Sequence, residues 1–456
     1  GISLYAALDL FIPMMTTSVA RPPTVAGNPI FLAAYLIFHL FFAAHFFTQT
    51  RKKWLRIFLG LLVVIFAATI LSSGVRGAFV GLSAAIVFLL GYFAWQQRRF
   101  RRSLIATLLV LITAYALIFL NRDELFVKNN FVLSRITNFS LQETTTRARF
   151  AMWKIALSGF RERPLAGWGR ENYSIVFNTH FDPSFDKANV SEGWEDRTHN
   201  IFLEELVNGG ILGLAAYLFL LTATFFALRQ RPILISLLIG YIVQNLFGVD
   251  NLNEHLPFFL LLAYVNFLSL PEKPPGNEGL FSNQKNPLLS VCISIVSLMA
   301  ITVSSIFFTV SPALSNNALR NATVDFAHAD RTPFQINYEK GKQYARYFPS
   351  LQLEGISILA GLALKNDTMR QENNPYIFFV SMITHDMAAL TKRIPGEQRW
   401  IFFLGQIFDN QAIRTRDAKW LNSSQVIWNQ LLAASPNRKI FRDAYQHSQK
   451  IQGYFK

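Results

Sequence analysis

Long apolar segments recur through the first 310 residues of the chain. A bilayer core about 30 Å thick is crossed by roughly 20 apolar residues of helix, and eight segments of this kind contain no Asp, Glu, Lys or Arg. Repeated uncharged apolar runs predict membrane-spanning helices. The segments are residues 30–47, 57–73, 77–95, 103–120, 211–228, 232–248, 256–270 and 287–310.

The beginning of the chain also lies in an apolar stretch. Residue 1 is a glycine, and residues 2–19 form a partial apolar run that contains Asp9. We therefore expect the sequence to be a fragment that lacks its N-terminal spans.

The composition changes after residue 310. Polar and aromatic residues are mixed from there on, and apolar residues recur at helical spacing between short Pro- and Asn-containing breakers. Residues 431–447 resemble a single degenerate tetratricopeptide-type turn and helix. We interpret this tail as a small helical bundle or helix-pair array that packs or binds a partner and carries no chemistry of its own.

These patterns together predict an all-α protein. Residues 1–310 form a polytopic transmembrane bundle of at least eight spans, which includes a large loop at residues 121–210. Residues 311–456 form a separate helical domain. The connections between spans predict the orientation, since the connections rich in Lys and Arg stay in the cytoplasm.

Twelve basic residues fall in alternate connections on one side, while the opposite short connections hold only Arg21 and Arg76. The large loop and the tail are therefore expected outside the cytoplasm. The net charge of +15 arises mainly from the cytoplasmic connections and the tail surface, so nucleic acid is not needed to explain it. The single cysteine excludes an intrachain disulfide and a Cys-rich metal site.

Candidate chemistry collects on the predicted external face. Arginine offers a permanently charged, planar fork that suits phosphate oxygens, and histidine accepts a proton near neutral pH. We expect Thr198 to cap a helix that begins near His199. Carboxylates with metal-ligand spacing, hydrolase triads and Gly-rich phosphate loops are not apparent in the sequence. The candidate residues are Arg21, Arg76, Arg149, Arg170, His199 and Asn200.

The motifs around these residues resemble the O-antigen ligase and polymerase superfamily of bacterial membrane proteins. They are "RPPTVAGNP", "SGVRGA", "RARFAMWKIAL" with "RPLAGWG", and above all "HNIFLEELVNGGILGL". The resemblance covers about residues 21–270. It departs from the family pattern where Val75 separates Gly74 from Arg76, since the family usually has Ser-Arg directly.

The resemblance implies an inverting, metal-independent glycosyltransferase that needs no cofactor. Its donor would be an undecaprenyl-pyrophosphate-linked glycan, and it would work on the periplasmic face of the bacterial inner membrane. Arg76 and Arg149 match arginines that engage the pyrophosphate, and His199 matches the essential loop histidine as base or orienter. The resemblance implies less specific substrate-binding roles for Arg21, Arg170 and Asn200.

The acceptor and the function class stay open at this point. The acceptor hydroxyl would belong to a lipid core sugar, another glycan chain or a protein side chain. A transporter or flippase of lipid-linked glycan intermediates is the alternative from another class, and a membrane-anchored scaffold is the third. The sequence shows no convincing inverted repeat of the kind that many transporters carry.

Overall fold

The computed structural model describes residues 29–137, 144–187, 193–248, 250–269, 311–328, 330–365, 375–393, 397–453 and 455, with isolated positions between 292 and 310. The regular elements in these residues are helices, and they include no strand. The all-α fold class is therefore confirmed for the described part of the chain. The tetratricopeptide likeness of residues 431–447 remains a prediction.

The helices are numbered here in chain order. They are α1 (Pro29–Gln49), α2 (Lys53–Ser72), α3 (Arg76–Gln96), α4 (Arg101–Leu120), α5 (Leu125–Asn129), α6 (Phe131–Thr137), α7 (Thr144–Glu162), α8 (Tyr173–Thr179), α9 (Ser184–Lys187), α10 (Ile201–Ala227), α11 (Pro232–Asn245), α12 (Leu252–Ser269), α13 (Ser311–Ala327), α14 (Arg331–Tyr344), α15 (Pro349–Lys365), α16 (Pro375–Arg393), α17 (Gln398–Thr415), α18 (Ala418–Ala434) and α19 (Lys439–Gly453).

The chain forms two compact units. The described residues of the first unit lie within 29–173 and 195–269, and those of the second lie within 174–187, 193–194 and 292–455. Part of the large loop thus belongs to the same unit as the tail helices, while both flanks of that part belong to the bundle.

Several helices of the first unit are long and apolar enough to cross a membrane. Among the described residues these are α1, α2, α3, the segment Arg98–Leu120 and α10, while α11 and α12 are shorter apolar helices. They correspond to the first seven apolar runs of the sequence. The eighth run, 287–310, lies largely outside the described residues. The chain is a multi-pass membrane protein.

Helix α1 forms the centre of this bundle. In the 18-residue apolar stretch of α1, 61% of the residues are buried, whereas no residue is buried in the corresponding stretch of the segment Arg98–Leu120. Leu32 and Leu36 of α1 have no exposed surface. The apolar side chains of α4 have few protein neighbours, so lipid is the environment that suits them.

Helices α3 and α11 approach each other closely through small residues. A Cβ atom added at Gly81 would lie 2.6 Å from the carbonyl oxygen of Gly240, so a larger side chain would separate the helices. Near the start of α3, a Cβ atom added at Gly77 would lie 3.4 Å from the Gln244 carbonyl oxygen. The beginning of α3 and the end of α11 therefore lie at one end of the bundle, which we call the loop end.

The second unit has an aromatic core. The rings of Phe334 and Phe379 pack with centroids 4.2 Å apart and a tilt of 35°, and the buried Trp428 donates its indole N–H to Asp409 at 2.9 Å.

Arg438 fixes the loop residues within this second unit. Its side chain has no exposed surface, and its Nη1 atom donates to the Asn178 side-chain oxygen at 2.7 Å. Its Nη2 atom donates to the carbonyl of Gly193. The guanidinium carbon lies 3.9 Å from the ring centroid of Trp194, within cation–π distance. Two separate pieces of the loop thus depend on one arginine of the tail.

Candidate functional site

Helix α10 is broken at Gly210, and a turn of the loop fills the break. Gly210 has φ 63° and ψ −160°, a conformation that only glycine adopts readily. A Cβ atom there would lie 2.3 Å from the carbonyl oxygen of Leu165. The amide of Ile211 donates to Pro164 at 2.8 Å, so the backbone freed by the break is satisfied by the turn. The sequence motifs "RPLAGWG" and "VNGGILG" therefore form one structural unit.

This turn places Arg170 beside the first half of α10. The two terminal nitrogens of Arg170 each lie 2.8 Å from an oxygen of the Glu205 carboxylate. The Glu205 side chain is 6% exposed and that of Arg170 is 64% exposed. A buried carboxylate thus orients the guanidinium in a bidentate geometry and leaves much of its surface open to a ligand.

Asn200 caps the start of α10. Its side-chain oxygen accepts from the amides of Phe202 at 3.1 Å and Leu203 at 3.2 Å. Its amide nitrogen donates to the carbonyl of Leu246, just after α11, at 3.3 Å. The side chain of Asn200 therefore joins two helix termini at the loop end.

The prediction that Thr198 caps a helix beginning near His199 is wrong. The helix begins at Ile201, after the cap at Asn200. Thr198 instead donates its hydroxyl to the carbonyl of Asn200 at 2.8 Å. Both residue types cap helices well, and the two lie so close in sequence that composition alone did not separate them.

Glu204 and Arg197 hold the loop that precedes this helix. The Glu204 carboxylate accepts from the amide of Thr198 at 2.8 Å and from the side chain of Asn208 at 3.0 Å. Arg197 pairs with Glu171 at 2.6 Å and with Glu204 at 3.5 Å. Burial disfavours the charge of Arg197, but these two carboxylates outweigh it and raise the pKa of the guanidinium.

His199 stands on strained backbone. Its φ is 54° and that of Glu171 is 63°, both in the left-handed region that non-glycine residues rarely adopt. The preceding carbonyl, that of Thr198, accepts the indole N–H of Trp153 from α7 at 3.0 Å. The Nε2 atom of His199 lies 3.6 Å from a carboxylate oxygen of Glu195, which is too long for a hydrogen bond. Such strain is typical of functional sites.

These residues surround a cavity of about 520 Å³ at the loop end of the bundle. Three of the candidate residues from the sequence, Arg170, His199 and Asn200, meet in its lining. The described lining residues are Arg170, Glu171, Arg197, His199, Asn200, Ile201, Glu204, Gly248, Asp250, Asn251, Leu252, His255 and Phe259.

Asp250 and His255 are cavity residues that the sequence analysis missed. The Oδ2 atom of Asp250 accepts from the hydroxyl of Tyr241 at 2.8 Å and lies 3.2 Å from Nε2 of His255. The hydroxyl of Tyr217 donates in turn to that of Tyr241 at 3.2 Å. The Oδ1 atom of Asp250 is buried and has no hydrogen-bond partner among the described residues. These links connect α10, α11 and α12 around one carboxylate.

His255 lies in the first turn of α12, ahead of the apolar run that starts at residue 256. The hydrogen bond to Asp250 raises the pKa of His255, and the negative charge of Asp250 adds to this effect. Burial and the positive charges of Arg170 and Arg197 oppose it. The signal available in the sequence was an Asp and a His five residues apart, in a connection predicted to lie on the same side of the membrane as His199.

The other predicted arginines are placed differently. Arg76 begins α3 at the loop end, and its Nε atom donates to the carbonyl of Arg135 at 3.0 Å. Arg149 is half-buried on α7, one turn before Trp153, which contacts the carbonyl preceding His199. Among the described residues, neither arginine lines the cavity. Arg21 lies outside the part of the chain that the structure describes.

The described residues include no group of three His, Cys, Asp or Glu side chains that could hold a metal ion. Arg170 and Arg197 each pair with a carboxylate of the protein, and the described lining also contains the carboxylates of Glu204 and Asp250. The chemistry available here is that of oriented guanidinium groups, two imidazoles and buried carboxylates.

Part of the chain that contributes to this site is similar to a known family. Residues 61–218 match the family model described as O-antigen ligase. This match confirms the resemblance drawn from the motifs, and it contains Arg76, Arg149, Arg170, His199 and Asn200.

A relative in Haemophilus influenzae, an uncharacterized protein, is 26% identical over 202 residues. The match covers 42% of this chain and 48% of the relative, so the chain spans about half the length of that protein.

Proposed function

With residues 61–218 matching the O-antigen ligase family, we propose that the protein transfers a glycan from an undecaprenyl-pyrophosphate donor to an acceptor hydroxyl. The observation that carries this proposal is the convergence of Arg170, His199 and Asn200 on one cavity where membrane helices end. We place the protein in the bacterial inner membrane with the loop end facing the periplasm. The acceptor is a lipid core sugar, another glycan or a protein side chain.

Fixed guanidinium groups account for the departure of the pyrophosphate. Breaking the bond between the anomeric carbon and the phosphate oxygen leaves negative charge on the diphosphate, which preorganised donors stabilise. Arg170 is suited to this task because Glu205 fixes one edge of its guanidinium while 64% of the side chain stays exposed. Arg76 and Arg149 lie at the start of α3 and on α7, from where we propose that they hold the lipid-linked diphosphate.

His199 acts on the hydroxyl that attacks the sugar. Its imidazole either accepts the hydroxyl proton or orients the hydroxyl, and attack opposite the leaving group inverts the anomeric centre. The reaction needs no metal in this scheme, since the arginines provide the positive charge. The left-handed backbone of His199 supports the assignment, because the fold maintains a costly conformation there.

The test is replacement of His199 with Ala and measurement of glycan transfer in membrane vesicles from a radiolabelled undecaprenyl-pyrophosphate glycan. Each acceptor class is supplied in turn. We expect transfer to fall by about 10²–10⁴, the usual contribution of acid–base assistance. His328→Ala is the matched control, because His328 is exposed in the second unit and bonds only to its own helix among the described residues.

Three results would count against the proposal. Unchanged transfer by a normally expressed His199→Ala protein would remove the role of His199. Loss of wild-type transfer on addition of a metal chelator would contradict the metal-independent scheme. Movement of the labelled donor across the membrane without transfer to any acceptor would favour the transporter alternative.

A further inference from the structure

Helices α17 and α19 of the second unit flank another cavity, of about 420 Å³, which we call the tail cavity. Its volume lies within the range of about 300–1,000 Å³ that is usual for ligand pockets. Asp409 of α17 connects the helices around it. One carboxylate oxygen accepts from the indole of Trp428 on α18 at 2.9 Å, and the other accepts from the hydroxyl of Ser448 on α19 at 2.7 Å. Contacts within the second unit therefore hold the walls of this cavity.

Two carboxamides lie one helical turn apart in the tail cavity. Gln406 and Asn410 both line it from α17, and both side chains are half-buried. No hydrogen bond of either carboxamide is recorded within the described residues. Their donors and acceptors are therefore open to a ligand.

The spacing of these two side chains matches that of an extended polypeptide. Four residues of α-helix rise roughly 6 Å, and two residues of extended chain span roughly 6.6–7.2 Å. In an extended chain the N–H and C=O groups of alternate residues point to the same side. A carboxamide offers both donors and an acceptor, so Gln406 and Asn410 can each bond the backbone of one residue, two positions apart in the ligand.

The charge of the tail cavity favours a cationic ligand. Its described lining contains the carboxylates of Asp409 and Asp443, the imidazole of His447 and no Lys or Arg. Asp443 pairs with Lys439 at 2.5 Å, but these side chains are 55% and 66% exposed, and an exposed pair contributes little to stability. A Lys or Arg of the ligand can therefore replace Lys439 beside Asp443 at little cost.

Two other ligand classes fit the tail cavity less well. A sugar ring usually stacks on an exposed aromatic face, whereas Phe402 in the lining is only 4% exposed and Trp428 has no exposed surface. A metal ion needs several ligands close together, and the part of the chain that the structure describes has no suitable group of three His, Cys, Asp or Glu side chains. Carboxamides beside carboxylates suit a peptide better.

We propose that the tail cavity binds an extended segment of a partner protein that carries a Lys or Arg. Gln406 and Asn410 bond the backbone of this segment, and Asp443 pairs with its cationic side chain. The site goes beyond the proposed glycan transfer, because its ligand is bound by residues of the second unit and needs no donor.

The experiment measures peptide binding to the full chain in detergent by fluorescence anisotropy. The probe is a short fluorescein-labelled peptide of alternating Thr and Lys, because β-branched Thr favours the extended conformation. We expect saturable binding of this peptide and weaker binding of a peptide with Glu in place of Lys. Methylation of every backbone nitrogen of the probe should weaken binding at least about tenfold, because the backbone donors are lost.

Substitutions in the lining locate the site. Gln406→Leu combined with Asn410→Leu should weaken binding of the Thr–Lys peptide at least about tenfold, because both backbone contacts are lost. Gln449→Leu is the matched control, because Gln449 is exposed on α19 and is not among the described lining residues. Asp443→Lys should reverse the preference, so that the Thr–Glu peptide binds more tightly than the Thr–Lys peptide.

A photocrosslinking group in the probe gives a measurement on the wild-type protein, and we expect it to label α17 or α19. Labelling outside the second unit, equal binding of the N-methylated peptide, or no saturable binding up to about 1 mM would overturn the inference. Displacement of the peptide by maltohexaose would do so too, because it indicates a glycan site. Peptide binding without glycan transfer would count only against the proposed function, and transfer without peptide binding only against this inference.

Discussion

Two arginine sites in this molecule show opposite uses of the same side chain. Arg438 in the second unit has no exposed surface, and amide, carbonyl and aromatic neighbours surround it. Arg170 in the bundle pairs with a buried carboxylate yet remains 64% exposed. The first arrangement encloses the guanidinium with protein, whereas the second positions it and leaves it open.

The two sites also differ in the conformation of their backbone. His199 and Glu171 at the cavity have positive φ. Backbone strain costs stability and persists in the site that we propose binds substrate. In this molecule the guanidinium that protein encloses has a structural role, whereas the oriented but exposed guanidinium beside strained backbone belongs to the proposed functional site.

The largest expected effect is at Arg438. Arg438→Met should remove the hydrogen bonds that Arg438 donates to the Asn178 side chain and the Gly193 carbonyl, each lost bond costing about 1–3 kcal/mol. We expect the second unit to be destabilised by roughly 2–4 kcal/mol. Thermal unfolding in detergent, followed by tryptophan fluorescence, would measure the change. An unchanged unfolding midpoint would show that the enclosed arginine is dispensable.

The next effect concerns the break in α10. Gly210→Ala forces a side chain into the left-handed region and against Leu165, at a cost of about 1–3 kcal/mol. The turn that carries Arg170 should shift, and glycan transfer should fall at least about tenfold, as expected when catalytic geometry is lost. Gly209→Ala is the matched control, because its added Cβ has no neighbour within 4 Å. Equal transfer by both variants would argue against the role of the break.

The smallest effect is the strain at His199 itself. His199→Gly should be about 1 kcal/mol more stable than His199→Ala, because glycine adopts positive φ without steric cost. Both variants should lose transfer equally, so the pair separates stability from activity. Thermal melts of the two proteins in the same detergent provide the measurement. A less stable glycine variant would mean that the backbone at this position is not strained.

The sequence predicted the spans well because hydropathy is a local property. Each of the first seven apolar runs lies within or beside an observed apolar helix. The boundaries differ where local signals compete, as at α12, which begins at Leu252 and contains Pro257. Thr198 and Asn200 show the same ambiguity, because either residue can cap a helix.

The candidate site was predicted only in part because it joins distant segments. Arg170, His199 and Asn200 lie in recognisable motifs, and the fold brings them together. Asp250 and His255 follow His199 by about 50 residues, and only the packing of α10 to α12 brings them to the cavity. The role of Arg438 was not predictable either, since its partners lie some 250 residues earlier in the chain.

The shortness of α11 has a consequence for access. A helix of 14 residues rises only about 21 Å, which is less than the hydrocarbon thickness of about 30 Å. Because most residues of α11 are buried among neighbouring helices, its polar last turn can lie below the usual headgroup level without facing lipid. The lipid-linked donor that we propose would then enter the cavity sideways from the leaflet, without its anchor being lifted into water.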